Sequence, residues 1–182
     1  MNDQRVPPPP SSTPAAIDPH LFRQVMGTFA SGVTVVSLDA DGMPRGMTAS
    51  AFMSGSLEPP LCVVSVAKRA HMHAFMSKTK RFGVNILAER QQLYARHFSG
   101  KPVADLIPPF RELAGVPMLS DAIARIVAEA YANHDCGDHT LFIGHIVHMD
   151  CDERAPLLYH RSGFCTLQPS SDRQAVAVPE FW

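Results

Sequence analysis

Residues 45–56 read Arg45-Gly46-Met47-Thr48-Ala49-Ser50-Ala51-Phe52-Met53-Ser54-Gly55-Ser56, and the arrangement of the chain follows from this stretch. It is rich in small and hydroxyl residues for a strand. Ahead of it, Val33–Leu38 is β-branched and Asp41-Gly42 is a turn signal, so Val33–Leu38 and Arg45–Met53 are expected to pair as a hairpin. Behind it, Pro59-Pro60 breaks the chain, and Leu61–Val66 is a continuous apolar run suited to a strand buried on both faces. Before the hairpin, Asp18 can cap a helix whose first turn holds Pro19, where a missing N–H costs nothing. Phe22, Val25, Met26 and Phe29 then form one apolar stripe, and Ser31-Gly32 ends the helix.

Further along, short helices are expected over Ala70–Ser77 and Arg90–Phe98, with a strand at Arg81–Leu87 between them. Gly100–Pro117 reads as a loop. Ala122–Ala132 reads as a long strand with Ala122, Ala124, Ile126, Ala128 and Ala130 on one face. Leu141–Met149 is another, with Leu141, Ile143, Val147 and Met149 on one side; Pro156–His160 and Phe164–Leu167 close the pattern. Irregularly spaced strands with few helices favour an antiparallel barrel over alternating βαβ units.

The chain has 182 residues, 46% apolar and 18% charged, with a formal net charge of −1. That suits one domain with a real core. No basic field exists to hold nucleic acid or an anionic membrane, and no apolar run approaches a bilayer span. Residues 1–17 form a Pro-, Ser- and Thr-rich arm expected to be flexible; residues 18–168 form the folded domain, and 169–182 a tail ending in Phe181-Trp182. The first residues lack the apolar core of a signal peptide, so a cytoplasmic protein is expected. The four cysteines hold no C-x-x-C pair, and Cys62 and Cys165 read as buried thiols.

Chemistry can be sought in five places. In Thr48–Ser56, small residues let a planar ligand approach the backbone, whose N–H, C=O and O–H groups can read a ring edge; a Ser-rich loop leaving the sheet explains the same composition. Ser65-Val66-Ala67-Lys68-Arg69-Ala70-His71 ends a strand, supplies two cations and starts a helix, which suits a phosphate or a solvated basic turn. His71-x-His73 is a poor metal pair, since positions two apart do not share a helix face. His139 follows Asp138 at the head of a strand, where it can move a proton, stack on a ring, or simply end the strand; Cys136 nearby allows a weaker thiolate or zinc reading. Tyr159-His160-Arg161-Ser162-Gly163 can cover a ring, grip a phosphate, or form a plain hairpin tip. No G-x-G-x-x-G opens a helix after a strand, so a Rossmann nucleotide site is not supported.

Taken in order, FRQVMGTFASGVTVVSL, RGMTASAFMSGSLEPPLCVVSV, RFGVNIL, RHFSG, GDHTLFIG and PLLYHRSGF resemble the short-chain flavin reductases of two-component monooxygenases, which share the FMN-binding split-barrel fold. The resemblance covers about Asp18–Leu167. It implies a mainly β, antiparallel split barrel with a few short peripheral helices, assembled as a homodimer. It implies hydride transfer from NADH or NADPH to FMN or FAD, the reduced flavin passing to a partner monooxygenase. Residue by residue, it implies that Thr48, Ala49, Ser50, Ala51, Phe52, Met53, Gly55 and Ser56 line the flavin. Ser65, Lys68, Arg69, Ala70 and His71 would lie at its phosphate. His139 would face the nicotinamide, and Tyr159, His160, Arg161 and Gly163 would close that pocket; Asn85 and Phe98 would support the fold or the pocket edge. Two departures stand out: Gly144-His145-Ile146 replaces a common Gly-Glu pair followed by Val or Ile, and Gly83 replaces a bulkier residue. A non-catalytic flavin-binding protein, a flavin-dependent oxidase or oxygenase acting on an organic substrate, and a His/Cys metal protein remain as alternatives.

Overall fold

A computed structural model describes residues 16–167. The Pro-rich arm and the Phe-Trp tail lie outside the described residues. In chain order the elements are α1 (Pro19–Met26), β1 (Ser31–Gly32), β2 (Thr34–Ala40), β3 (Met43–Ala49), β4 (Phe52–Ser56), β5 (Leu61–Ala67) and α2 (His71–Met76). Then follow β6 (Arg81–Ile86), α3 (Gln92–His97), β7 (Phe110–Leu113), β8 (Val116–Leu119), β9 (Ala124–Cys136), β10 (His139–Cys151), β11 (Leu158–His160) and β12 (Gly163–Cys165). The protein is mainly β, and every strand pairing among the described residues is antiparallel.

The main sheet has the order β3-β2-β6-β9-β10-β5-β4. Its two outermost strands are consecutive in the chain, joined by Ser50-Ala51. The expected single strand Arg45–Met53 is thus two strands, because the chain bends at Ser50 and passes from one end of the sheet to the other. The expected hairpin of β2 and β3 forms. Asp41 and Gly42 turn with φ of 57° and 76°, and Asp39 Oδ1 accepts from Gly42 N at 2.9 Å. Such a two-residue turn needs positive φ at both centres, which suits Asp-Gly.

The core has two main parts. Val36, Leu38, Cys62, Val64, Val66, Phe82, Val84, Ile126, Ala128 and Phe142 pack inside the main sheet, where α2 adds Met72 and Met76. Val33, Val35, Leu87, Ala95, Leu119, Ala122 and Leu157 form the second part beneath α3. In β5 buried residues alternate with half-buried ones, so the strand is fully buried on one face rather than both. In β10 the core side is Phe142 and Gly144. Val147 and Met149, expected on a packed side, are 41% and 65% exposed: the buried positions of the strand are Thr140, Phe142 and Gly144, none beyond Gly144 is fully buried, and Val147 is the extra residue of a bulge against β9. Cys62 is buried as expected, and burial pushes its thiol up to about 11; Cys165 is only half-buried.

Gly100–Pro117 is not all loop: β7 and β8 form a hairpin whose turn is Ala114-Gly115. β8 lies over β2 and β6. Buried Asn85 fixes it there, accepting from Leu119 N at 2.8 Å while donating to Val35 O at 2.9 Å and Ser37 Oγ at 3.0 Å. Gly83 makes the approach possible, since a Cβ there would overlap the Met118 sulfur and lie 2.8 Å from Ser37 Oγ. Gly144, which keeps the common glycine, is required by packing in the same way, with a Cβ there only 2.6 Å from both Ala128 Cβ and Phe82 Cζ.

The first helix forms as its cap predicts, Asp18 accepting from His20 N and Leu21 N. Its apolar stripe does not pack on this chain: Phe22, Val25, Met26 and Phe29 are all exposed, and α1 buries no residue.

Candidate functional site

Thr48, at the end of β3, is tied to α3 twice. Its Oγ1 donates to Ala95 O at 2.7 Å, and its N–H donates to Phe98 O at 3.0 Å. The hydroxyl expected to read a ligand is therefore engaged in bracing. Gly46 lets the Phe98 ring close over the same strand, since a Cβ there would lie 2.6 Å from Phe98 Cε1. Phe98 and Asn85 thus take the supporting roles expected of them.

Ala49 is buried, and its carbonyl accepts from Thr34 Oγ1 at 2.7 Å. Ser50 and Ala51 then cross the open edge, both exposed. Ala51 O accepts from Ser65 N at 3.0 Å, which docks the crossing on β5. Phe52 is half-buried against the core, while Met53 and Gly55 run outward along exposed β4. Gly55 sits in a bulge between Ser54 and Ser56.

On one side of this crossing is a cleft of about 580 Å³, within the range of small-molecule sites. Thr48, Ser50, Tyr159, Gly163 and Phe164 contribute to its wall. The β11–β12 hairpin reaches it because β11 pairs with β1, Tyr159 lying opposite Ser31. The Tyr159 and Phe164 rings meet edge to face at 5.7 Å. The turn residues Arg161 and Ser162 have φ of 46° and 64°, a costly backbone for non-glycine residues, and Arg161 N donates to Gly27 O at 2.8 Å. Arg161 faces the α1 side of that turn rather than this cleft, and His160 is half-buried outside both. Arg96, Ser99 and Lys101 also line the cleft, and sequence reading missed them. The RHFSG segment that contains two of them was the available signal.

On the other side of the crossing lie Ser65, Lys68 and His139, brought together because β5 pairs with β10 and His139 stands opposite Ala67. Lys68 pairs with Asp135 at 3.4 Å, and its N–H donates to Asp138 O at 2.9 Å. Arg69 and His71 are exposed beside it, and Ala70 caps α2 without a side-chain bond. His139 Nδ1 meets Asp138 Oδ1 at 2.7 Å, a contact that holds the Asp138 carboxyl below its ordinary range. With Nδ1 held there, Nε2 is the nitrogen left to meet a ligand. His139 does not line the 580 Å³ cleft, so one chain does not bring it to Tyr159 and Gly163. His73 turns inward, its Nε2 sharing a hydrogen bond with Thr140 Oγ1 at 2.9 Å.

An exposed backbone crossing between an aromatic-rimmed cleft and a basic strand end fits a planar, phosphate-bearing ligand. Comparison with known proteins agrees, because residues 26–168 match the flavin reductase like domain. This chain belongs to that family. An NADH-dependent flavin reductase of Rhodococcus is 36% identical, the match covering 87% of this chain and 94% of that one. The reductase component of 4-hydroxyphenylacetate 3-monooxygenase from Thermus thermophilus is 34% identical, over 79% and 93% of the two chains. Among solved structures, the NADH:FAD oxidoreductase of Streptomyces globisporus, in complex with NAD and FAD fragments, is 32% identical with a TM-score of 0.78. That match covers 86% of this chain and 99% of the other. Among the described residues no helix is long and apolar enough to cross a membrane.

Proposed function

We propose that this flavin reductase family member transfers a hydride from NADH or NADPH to FMN or FAD and passes the reduced flavin to a partner monooxygenase. The observation that carries the reading is the exposed Ser50-Ala51 crossing, whose Ser50 lines the 580 Å³ cleft. Its small side chains let a flat ring lie close to main-chain groups. When both nucleotides are bound, the nicotinamide supplies a hydride that the flavin accepts together with a proton. What falls to the protein is to stack the two rings in register and to exclude water.

In this reading Thr48 fixes the crossing through α3, while Ser50 and Ala51 present backbone and hydroxyl groups to the ring. Ser65, Lys68 and the start of α2 serve the flavin phosphate, and His139 positions the nicotinamide through Nε2. Tyr159 and Gly163 close the far wall. The sheet order, with outermost strands joined by two residues, supports a split barrel. The exposed stripe of Phe22, Val25, Met26 and Phe29 supports a homodimer that covers it. A second copy would also supply the proximity between His139 and the hairpin that one chain lacks.

The test is direct. Purified protein is mixed with NADH or NADPH and with FMN, FAD or riboflavin, and nicotinamide oxidation is followed by absorbance. Oxidation well above the flavin-free background is expected for at least one pair. No oxidation in any combination sinks the proposal, and oxidation that requires a third, organic substrate favours an oxygenase.

A further inference from the structure

The cleft beside Ser50 adjoins a second one at Ser162. The second, about 750 Å³, lies between α1 and the β11–β12 turn. Arg96 and Lys101 line the first; His20, Arg23 and Arg161 line the second. Neither wall contains an Asp or Glu. The chain as a whole has a formal net charge of −1, so this one-sided charge is local and does not follow from composition.

The cations are also uncommitted. Arg81, Arg125 and Arg154 are each held by a carboxylate within 2.9 Å. Among the described residues, Arg23, Arg96, Lys101 and Arg161 have no such partner. A helix C-terminus normally repels an anion. Here the carbonyls at the end of α3 are covered: Ala95 O and Phe98 O accept from Thr48, and Arg96 O accepts from Ser99 N and Oγ. The end of α1 that lines the second cleft is covered too, Val25 O accepting from Thr28 N and Oγ1 and Gly27 O from Arg161 N, so four cations converge on two joined clefts. Such a concave surface of one sign concentrates anions.

We infer that Arg96 and Lys101, facing Arg23 and Arg161 across the Ser162 turn, form a subsite for the diphosphate of a dinucleotide. A ring seated against Ser50, Tyr159 and Phe164 places the diphosphate at the junction of the clefts, and the second cleft receives the adenosine half. Both FAD and a nicotinamide dinucleotide carry this group; an FAD held here would have its phosphates on this side of the crossing in place of Ser65 and Lys68, whereas a nicotinamide dinucleotide leaves that seat to the flavin. The identity of the ring rests on the reductase reading above; the charge argument does not.

The test compares wild type with the double variant Arg96→Ala/Lys101→Ala. ADP binding is measured by calorimetry, and riboflavin and FAD binding by flavin fluorescence. The KM for NADH is measured with riboflavin as acceptor. Losing two exposed cation–phosphate contacts is expected to weaken ADP roughly tenfold. If the diphosphate is that of FAD, the ratio of FAD to riboflavin affinity falls by a similar factor. If it belongs to the nicotinamide dinucleotide, that ratio holds and the NADH KM rises instead. Arg96→Lys/Lys101→Arg should retain most of the ADP affinity. In wild type, raising salt to about 0.5 M should remove most of the advantage of FAD or NADH, because exposed charges are then screened. The inference is overturned if ADP affinity, the FAD-to-riboflavin ratio and the NADH KM all stay within about twofold of wild type, within the spread of exposed charge contacts. It is also overturned if wild type binds no ADP. A wild type that binds ADP but oxidises no nicotinamide sinks the reductase reading and leaves the subsite standing.

Discussion

Thr48→Val is the sharpest probe of how the site is held. The substitution keeps the shape of the side chain and removes the hydroxyl that donates to Ala95 O at 2.7 Å. That carbonyl has no other donor among the described residues, because Ser99 N, which would continue the helix, donates to Arg96 O instead. Ala95 is 1% exposed, so water cannot readily replace the lost partner. An unpaired carbonyl in this setting costs about 1–2 kcal/mol. For a chain of this length that lowers Tm by roughly 2–8 °C. The remaining tie, Thr48 N–H to Phe98 O, keeps α3 attached but lets the crossing shift. A loss of about 1 kcal/mol in positioning raises the flavin KM about fivefold. Thermal melts and steady-state kinetics with saturating NADH read both quantities, and Thr48→Ser should return both toward wild type. A Thr48→Val variant with unchanged Tm and unchanged flavin KM would refute the bracing role.

Gly83→Ala should destabilise the protein by about 1–3 kcal/mol in urea unfolding, because the new methyl collides with Met118; Met118→Ala in the same chain should recover part of the loss. His139→Ala should mainly raise the KM for the nicotinamide, and Asp138→Ala should do so by a smaller factor by freeing Nδ1. A collapse of kcat at constant KM in either variant would contradict positioning. The folded-state pKa of Asp138 is depressed, first by the hydrogen bond from His139 and then by its charge. Its contribution is therefore present above the ordinary carboxylate pKa and is lost only as pH falls through the lower folded value, so protonation of Asp138 should not shape the profile at neutral pH. Cys62, buried and pushed up to about 11, should resist iodoacetamide in the native protein, while exposed Cys136 and Cys151 react; mass spectrometry of the labelled peptides distinguishes them.

The features legible in the sequence are those with local causes. The Asp41-Gly42 turn, the Asp18 cap and the apolar run of β5 announce themselves within a few residues. The bend at Ser50 was not visible, because a sheet that begins and ends on consecutive strands is a property of the whole order and not of a dipeptide. β7 and β8 were hidden by Pro108, Pro109, Gly115 and Pro117, which read as a loop; in a two-stranded ribbon a proline is tolerated, and Pro117 takes its place opposite Glu112. The packed face of β10 is hidden in the sequence because its buried positions are Thr140, Phe142 and Gly144, while the apolar Leu141 and Ile143 between them are only half-buried. Thr48, Ser50, Tyr159 and Gly163 do meet in one cleft. Arg96, Ser99 and Lys101 were missed because only the resemblance of the RHFSG segment, and nothing in composition or periodicity, connects α3 to the strand end it braces.

That connection explains why the candidate site is built where it is. Ser50 and Ala51 are exposed residues with little side chain to bury, so packing alone cannot hold them. Three hydrogen bonds do so: Thr48 to Ala95 and to Phe98 on one flank, and Ser65 to Ala51 on the other. The first two come from α3, which sits over the second part of the core; the third comes from β5, a strand of the main sheet. The crossing is therefore anchored to both halves of the core while its own groups stay open. A ligand that binds it meets a backbone already fixed, and little ordering entropy remains to be lost on binding. Loosening either anchor should weaken flavin binding while leaving Ser50 and Ala51 themselves in place.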